Sequence, residues 1–203
     1  KGDPNRVYLL RTFGREGHEV WEVTDPTKPK VLWRHLGMTD THKNYWECEG
    51  GIAYIVSRPK GWRARIVEVF DLSDPSNPVK IRDFGLPGQQ PGATGAVPVT
   101  VHGMVSTGAK GNRIYLAYGT NRGGILQIVD REKLLKGPKE PTPENFRYPE
   151  IGRLEMNPMV GAHTAMPLGR IKIQEFAKDA DKGDREFVMI VNETFREECG
   201  EAR

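Results

Sequence analysis

The chain has 203 residues, 37% of them hydrophobic and 28% charged, an ordinary balance for a soluble globular protein with a packed core. Its 30 Lys and Arg against 27 Asp and Glu leave a net charge of +3, too small and too scattered an excess for a nucleic-acid or polyanion surface. No run approaches the roughly 18 consecutive apolar residues of a membrane span, so no membrane span is expected.

Helical periodicity is nearly absent; only "REKLLKG" (131–137) and "IQEFAKDADKG" (173–183) offer about two turns each. The chain instead reads as short strands in sequence. They are "VYLLRTF", "HEVWEVTD", "KVLWRHL", "GIAYIVS", "RIVEVFDL", "VKIRDFGL", "RIYLAYGT", "GILQIVD" and "FVMIVNE". Gly, Pro, Asp and Asn punctuate them, and the 23 Gly and 15 Pro mark a turn-rich, all-β chain.

The strands repeat. "EVTDPTKPKVL" at 22–32 returns as "DLSDPSNPVKI" at 71–81, with Asp25-Pro26 and Asp74-Pro75 49 residues apart, and a shortened "LQIVDREKLL" follows at 126–135. In Asp-Pro-x-x-Pro the aspartate accepts backbone hydrogen bonds as an Asx-turn, while the prolines fix φ and withhold donors. One strand therefore ends sharply and the next begins a few residues later. Four antiparallel strands per unit of about 50–60 residues is the pattern of a β-propeller blade.

On this phasing the chain holds three outer strands of a partial blade (7–37), two full blades (42–86 and 102–155) and a partial blade (163–203) that ends after its second strand. That is below the usual minimum of four blades. The chain also starts at Lys1 and stops at the polar "ECGEAR", so it is expected to be an incomplete part of a longer propeller. Its partner is then the remaining part of that propeller or another protein chain.

The repeated segments "VWEVTDPTKP", "VEVFDLSDPSNP" and "ILQIVD" resemble the LVIVD repeat, whose consensus runs roughly Leu-x-Ile-Val-Asp-Ile-Ser-Asp-Pro-Ser-x-Pro. The match is specific in the second copy, good in the first and partial in the third, where the Asp-Pro pair is missing. The resemblance implies a propeller of about seven blades and export to a periplasmic or extracellular location. It implies no particular activity.

Three of the five histidines then fall into register. His42, His102 and His163 are spaced by 60 and 61 residues, and each opens the predicted innermost strand of its blade. Such strands line a propeller's central channel, so the three imidazoles are expected to converge at one mouth of it. Neutral imidazoles suit one transition metal, Cu, Fe or Zn, and leave coordination positions open for a small molecule or O2. The arrangement is similar, at fold level, to the selenium-binding/methanethiol oxidase propellers, whose His-led strand starts "TVHGMVSTG" resembles, and to the carotenoid-cleaving oxygenases. A recurring histidine can equally hydrogen-bond a neighbouring blade's backbone through either nitrogen.

Two functions follow. The first is a binding or assembly module for a protein or small-molecule partner; the alternative is a metal-dependent oxidoreductase or oxygenase with an axial histidine site. The remaining residues read more plainly. His18 and His35 fit surface or inter-strand positions, and Trp21, Trp33, Trp46 and Trp62 inter-blade packing. Glu47 and Glu49, close behind His42, could supply a carboxylate ligand or general base, but they read more simply as a polar strand end, as does Glu193. "GQQPGATGAVP" (88–98) reads as a flexible connector able to roof the channel mouth. Asn192-Glu193-Thr194 is a glycosylation sequon by pattern. Cys48 and Cys199 have no CxxC spacing, and whether they pair is left open.

Overall fold

A computed structural model describes residues 2–178 and 183–193. The chain builds four antiparallel sheets, each following chain order. The first holds β1 (Tyr8–Phe13), β2 (Gly17–Glu22) and β3 (Lys30–Leu36). The second holds β4 (Thr41–Glu47), β5 (Ile52–Ser57), β6 (Ile66–Asp71) and β7 (Val79–Phe84). The third holds β8 (Val101–Ser106), β9 (Arg113–Tyr118), β10 (Ile125–Asp130) and β11 (Glu150–Glu155). The fourth pairs β12 (Thr164–Ile173) with β13 (Gly183–Val191).

The Asp-Pro turns are the same device used twice. Asp25 Oδ1 accepts from the Thr27 amide at 3.0 Å and Asp74 Oδ1 from the Ser76 amide at 2.9 Å. Each aspartate's carbonyl also accepts from the residue three on, Lys28 or Asn77. In the third copy the turn prolines are gone, and Asp130 instead caps a short helix (Arg131–Lys136) by accepting from the Lys133 amide at 2.9 Å. Three short helices lie within the third sheet's segment: α1 (Gly108–Gly111), α2 (Arg131–Lys136) and α3 (Pro143–Arg147). The second expected helix does not form among the described residues. Ile173 ends β12 and pairs with Gly183 across the β12–β13 hairpin, and residues 174–178 form turn and bend.

Burial explains why the middle strands read as continuous apolar runs. Every residue of β5 is buried. Its Tyr54 and Val56 join one core with Leu116, Tyr118 and Phe84, while Ala53 and Ile55 join another with Val20 and Phe70. The strand's period of two sends alternate side chains to opposite faces, and both faces are covered. Strand β9 does the same: Ile114, Leu116 and Tyr118 face the second sheet's core, and Tyr115 and Ala117 pack with Ala162 and Ala165. The sheets are thus stacked face to face in chain order.

A buried polar position also repeats at the third residue of β2, β6 and β10. Glu19 accepts from Arg34 (2.7 Å) and Trp21 (2.8 Å), and Glu68 from Lys80 (2.7 Å), Ser57 and His35. Gln127 accepts from Tyr118 at 2.9 Å and donates to Glu150 at 2.6 Å. His18 and His35 are cross-strand neighbours, so their inter-strand reading holds, although His18 is wholly buried. The 88–98 connector is pinned rather than loose, because Arg63 donates to the carbonyls of Gly88, Thr94 and Gly95. Cys48 is a free, exposed thiol; Cys199 lies outside the described residues, as does Thr194 of the sequon. No helix among the described residues is long and apolar enough to cross a membrane.

Candidate metal centre

The leading strands meet. β1 packs on β4, β4 on β8, and β8 on β12, so the starts of β4, β8 and β12 lie side by side. At two of those starts the ladder is broken by a bulge. His42 and Lys43 together oppose Val56 alone, and His102 has no residue opposite it between Val101–Tyr118 and Gly103–Ala117. A bulge turns a side chain out of the pleat's alternation, and here it directs the imidazoles between sheets rather than into either core. The third histidine, His163, is fixed by its amide donating to the Val191 carbonyl at 2.7 Å.

The structure brings all three expected histidines together. His42 Nε2 lies 2.7 Å from His102 Nε2, and the His102 and His163 ring centroids are 4.1 Å apart. His102 Nδ1 is 3.0 Å from the His163 carbonyl. A carbonyl only accepts, so Nδ1 carries the proton and Nε2 presents its lone pair. Burial, together with the neighbouring His42, Lys43 and His163, lowers the His102 pKa to about 3 and keeps the ring neutral. Burial also lowers His42, helped by Arg65 and Lys43, and burial and Lys43 lower His163.

Two further residues join the cluster: Lys43, and Glu193, which reads in the sequence as no more than a polar strand end. Glu193 Oε2 lies 3.6 Å from His163 Nε2 and 3.8 Å from His102 Nε2. Its segment is held by the Glu193 amide donating to the Thr120 carbonyl and by Asn192 Oδ1 accepting from the Gly161 amide. Lys43 Nζ lies 3.2 and 3.3 Å from the two ring nitrogens of His163 and 3.3 Å from Thr164 Oγ1. Gly103 leaves room for it: a Cβ there would stand 3.2 Å from Lys43 Cδ and 3.4 Å from the His163 carbonyl oxygen. The signal available was adjacency for Lys43, beside a phased histidine. For Glu193 there was none, since its distance from His163 along the chain spans a whole hairpin.

Glu47 and Glu49 do not join. Glu47 sits at the opposite end of β4, buried and clamped by Arg131 (2.6 Å), Tyr54 (2.7 Å) and Ser106.

One donor atom each from His102, His163 and Glu193 lies within 4.8 Å of the others. Two imidazoles and a carboxylate can hold a transition metal, and His102 already shows the second hydrogen bond, Nδ1–H to a backbone carbonyl, that orients metal-bound histidines. Fold and site thus define an all-β protein of stacked antiparallel sheets with a histidine–carboxylate cluster where their leading strands meet. Compared with known proteins, the chain matches no protein-family model and shows no significant similarity to a curated protein.

Proposed function

We propose that the chain is part of a β-propeller of the LVIVD type and that it holds one transition metal ion at His102, His163 and Glu193. His42 is the third imidazole of the site. The observation that carries this reading is the donor triad, with the Nδ1 bond to the His163 carbonyl turning the His102 Nε2 lone pair into the cluster, where an ion would displace the hydrogen bond from His42. The propeller reading draws on the face-to-face stacking, the adjacent leading strands and the buried polar position repeated at Glu19, Glu68 and Gln127.

A bound Fe or Cu would supply redox or oxygen-dependent chemistry, and two histidines with one carboxylate is the facial set suited to non-haem Fe(II); Zn would supply a Lewis acid. The chain's own residues hold the ion, keep His102 neutral, and present Lys43 beside it. The proposed activity is therefore a metal-dependent oxidoreductase or oxygenase acting on a small molecule. Metal analysis of natively purified protein, with calorimetric titration of Fe2+, Cu2+ and Zn2+, tests it. One ion per chain, lost in His102→Ala with the fold intact by circular dichroism, is expected; no uptake of any of the three overturns it.

A second reading, a binding or assembly module, draws on the fourth sheet. Strand β13 follows a leading strand, as β5 and β9 do, yet Met189 and Val191 on it and Met166, Leu168 and Ile171 on β12 are exposed. A two-stranded ribbon with apolar faces is marginal alone, so we propose that another polypeptide segment, the rest of a propeller or a separate chain, covers it. Sedimentation of the chain before and after Met189→Glu checks this: self-association or partner capture lost on substitution is expected, and an unchanged monomer would count against it. On the LVIVD resemblance we also propose a periplasmic or extracellular location.

A further inference from the structure

We infer that Lys43 anchors a small anionic ligand, of carboxylate size, at the metal centre. This inference rests on the metal reading above and names the class of molecule that centre takes.

The argument starts from what an ammonium group requires. Lys43 carries three donors and no acceptor, and its nitrogen is partly buried between β4 and β12. Its partners are the His163 ring nitrogens and Thr164 Oγ1, with the Glu193 carboxylate nearby. A metal ion on His163 takes the lone pair that Lys43 now faces, and an ion on Glu193 shares that carboxylate's charge. Lys43 is then left with Thr164 as its one retained hydrogen-bond acceptor among these groups. An under-satisfied, half-buried ammonium beside a dication is costly.

Charge leads to the same ligand. Around the cluster, Lys43 and Arg65 are balanced by Glu193 and Asp40, with Arg65 Nε 3.9 Å from Asp40 Oδ2. The imidazoles are neutral. A divalent ion therefore leaves this end of the sheets with an excess of two positive charges. Arg15, 3.3 Å from the same Asp40, adds to it from the rim. Of the two inner cations, Arg65 is already committed, its Nε donating to Thr100 Oγ1 at 3.2 Å and facing Asp40. Lys43 is the one beside the donor atoms. An anion bridging the ion and Lys43 Nζ satisfies both.

Co2+ as a visible-absorbing metal probe, with acetate as the anion and acetamide as its neutral counterpart, tests this on the whole chain. Acetate is expected to shift the absorption bands of the Co2+-loaded wild type, and acetamide to leave them unchanged at the same concentration. Lys43→Met is expected to bind Co2+ at least as tightly, having lost a neighbouring positive charge, but to need at least tenfold more acetate; Lys43→Arg restores most of the acetate response. Equal responses to acetate and acetamide in the wild type overturn the inference even where no variant folds. So does an unchanged acetate response in a Co2+-loaded Lys43→Met. Both outcomes leave the metal reading standing. A wild type that takes up neither Co2+ nor the ions named above removes the metal reading itself.

Discussion

His42 and His102 stand 60 residues apart in the chain, and their Nε2 atoms meet at 2.7 Å. Because His102 Nδ1 donates to the His163 carbonyl, its Nε2 accepts here, and His42 is the donor. The pair thus fixes the tautomers of both rings. His42→Ala removes the partner of His102 without removing a member of the donor triad. Because that hydrogen bond and a metal ion compete for the same lone pair of His102, metal uptake is expected to be unchanged or tighter in His42→Ala, whereas His102→Ala abolishes it. Competition against a chelator of known affinity measures both.

Gly103 controls how closely Lys43 passes β8. In Gly103→Ala the new methyl group meets Lys43 Cδ at 3.2 Å and the His163 oxygen at 3.4 Å. The Lys43 stem can move and the backbone oxygen cannot easily do so. A stability loss of about 1 kcal/mol is expected, together with a displaced Lys43 and weaker acetate binding on the metal-loaded chain. Urea denaturation and the Co2+ spectrum separate the two effects.

Glu47 and Arg131 form the most enclosed ion pair among those described, joining β4 to the start of α2 with three contacts of 2.6–3.0 Å. Arg131→Met leaves the carboxylate buried with only the Tyr54 and Ser106 hydroxyls. The expected loss is about 3 kcal/mol. The double variant with Glu47→Gln should recover a large part of it, since no charge then remains buried. A double-mutant cycle in urea reports this coupling, and additive losses would contradict it.

Acid should destabilise the fold in two stages. Burial lowers His18 from 6.5 to about 4, against the opposing pull of its bond to the Val56 carbonyl. Between those values the unfolded chain binds more protons than the folded one, so stability falls as pH drops from 6.5 towards 4. The full effect is roughly 3 kcal/mol. Glu68 follows: burial opposes its ionisation, but bonds from His35 and Lys80 prevail and lower it to about 2. Its contribution is present above about 4.5 and is lost as pH falls through 2. Urea midpoints at pH 7, 5 and 3 should show both steps, and His18→Gln should shrink the first without abolishing it, because His102 is lowered to about 3 in the same window.

The strand pattern was legible because its causes are local. Asp25 and Asp74 bond amides two residues on, so the turn that ends each strand is written within one short segment. The continuous apolar runs of β5 and β9 reflect two covered faces, and the 60- and 61-residue spacing of the histidines carried over directly into contact. The second expected helix failed for the opposite reason. Residues 173–178 have some helical pattern, but Ile173 finds a partner strand and residues 174–178 form turn and bend, and tertiary pairing outweighs weak local propensity.

The sequence by itself determined the strands, their turns and the phase that aligns His42, His102 and His163, since each depends on residues within one repeat. Only the tertiary structure decided what surrounds those histidines. Glu193 reaches them through a hairpin's return, Lys43 through a bulge that turns two consecutive residues toward one site, and Glu47 is withdrawn to Arg131 at the other end of its strand. Bulges and inter-sheet contacts are set by how neighbouring sheets pack, and no spacing along one strand encodes that.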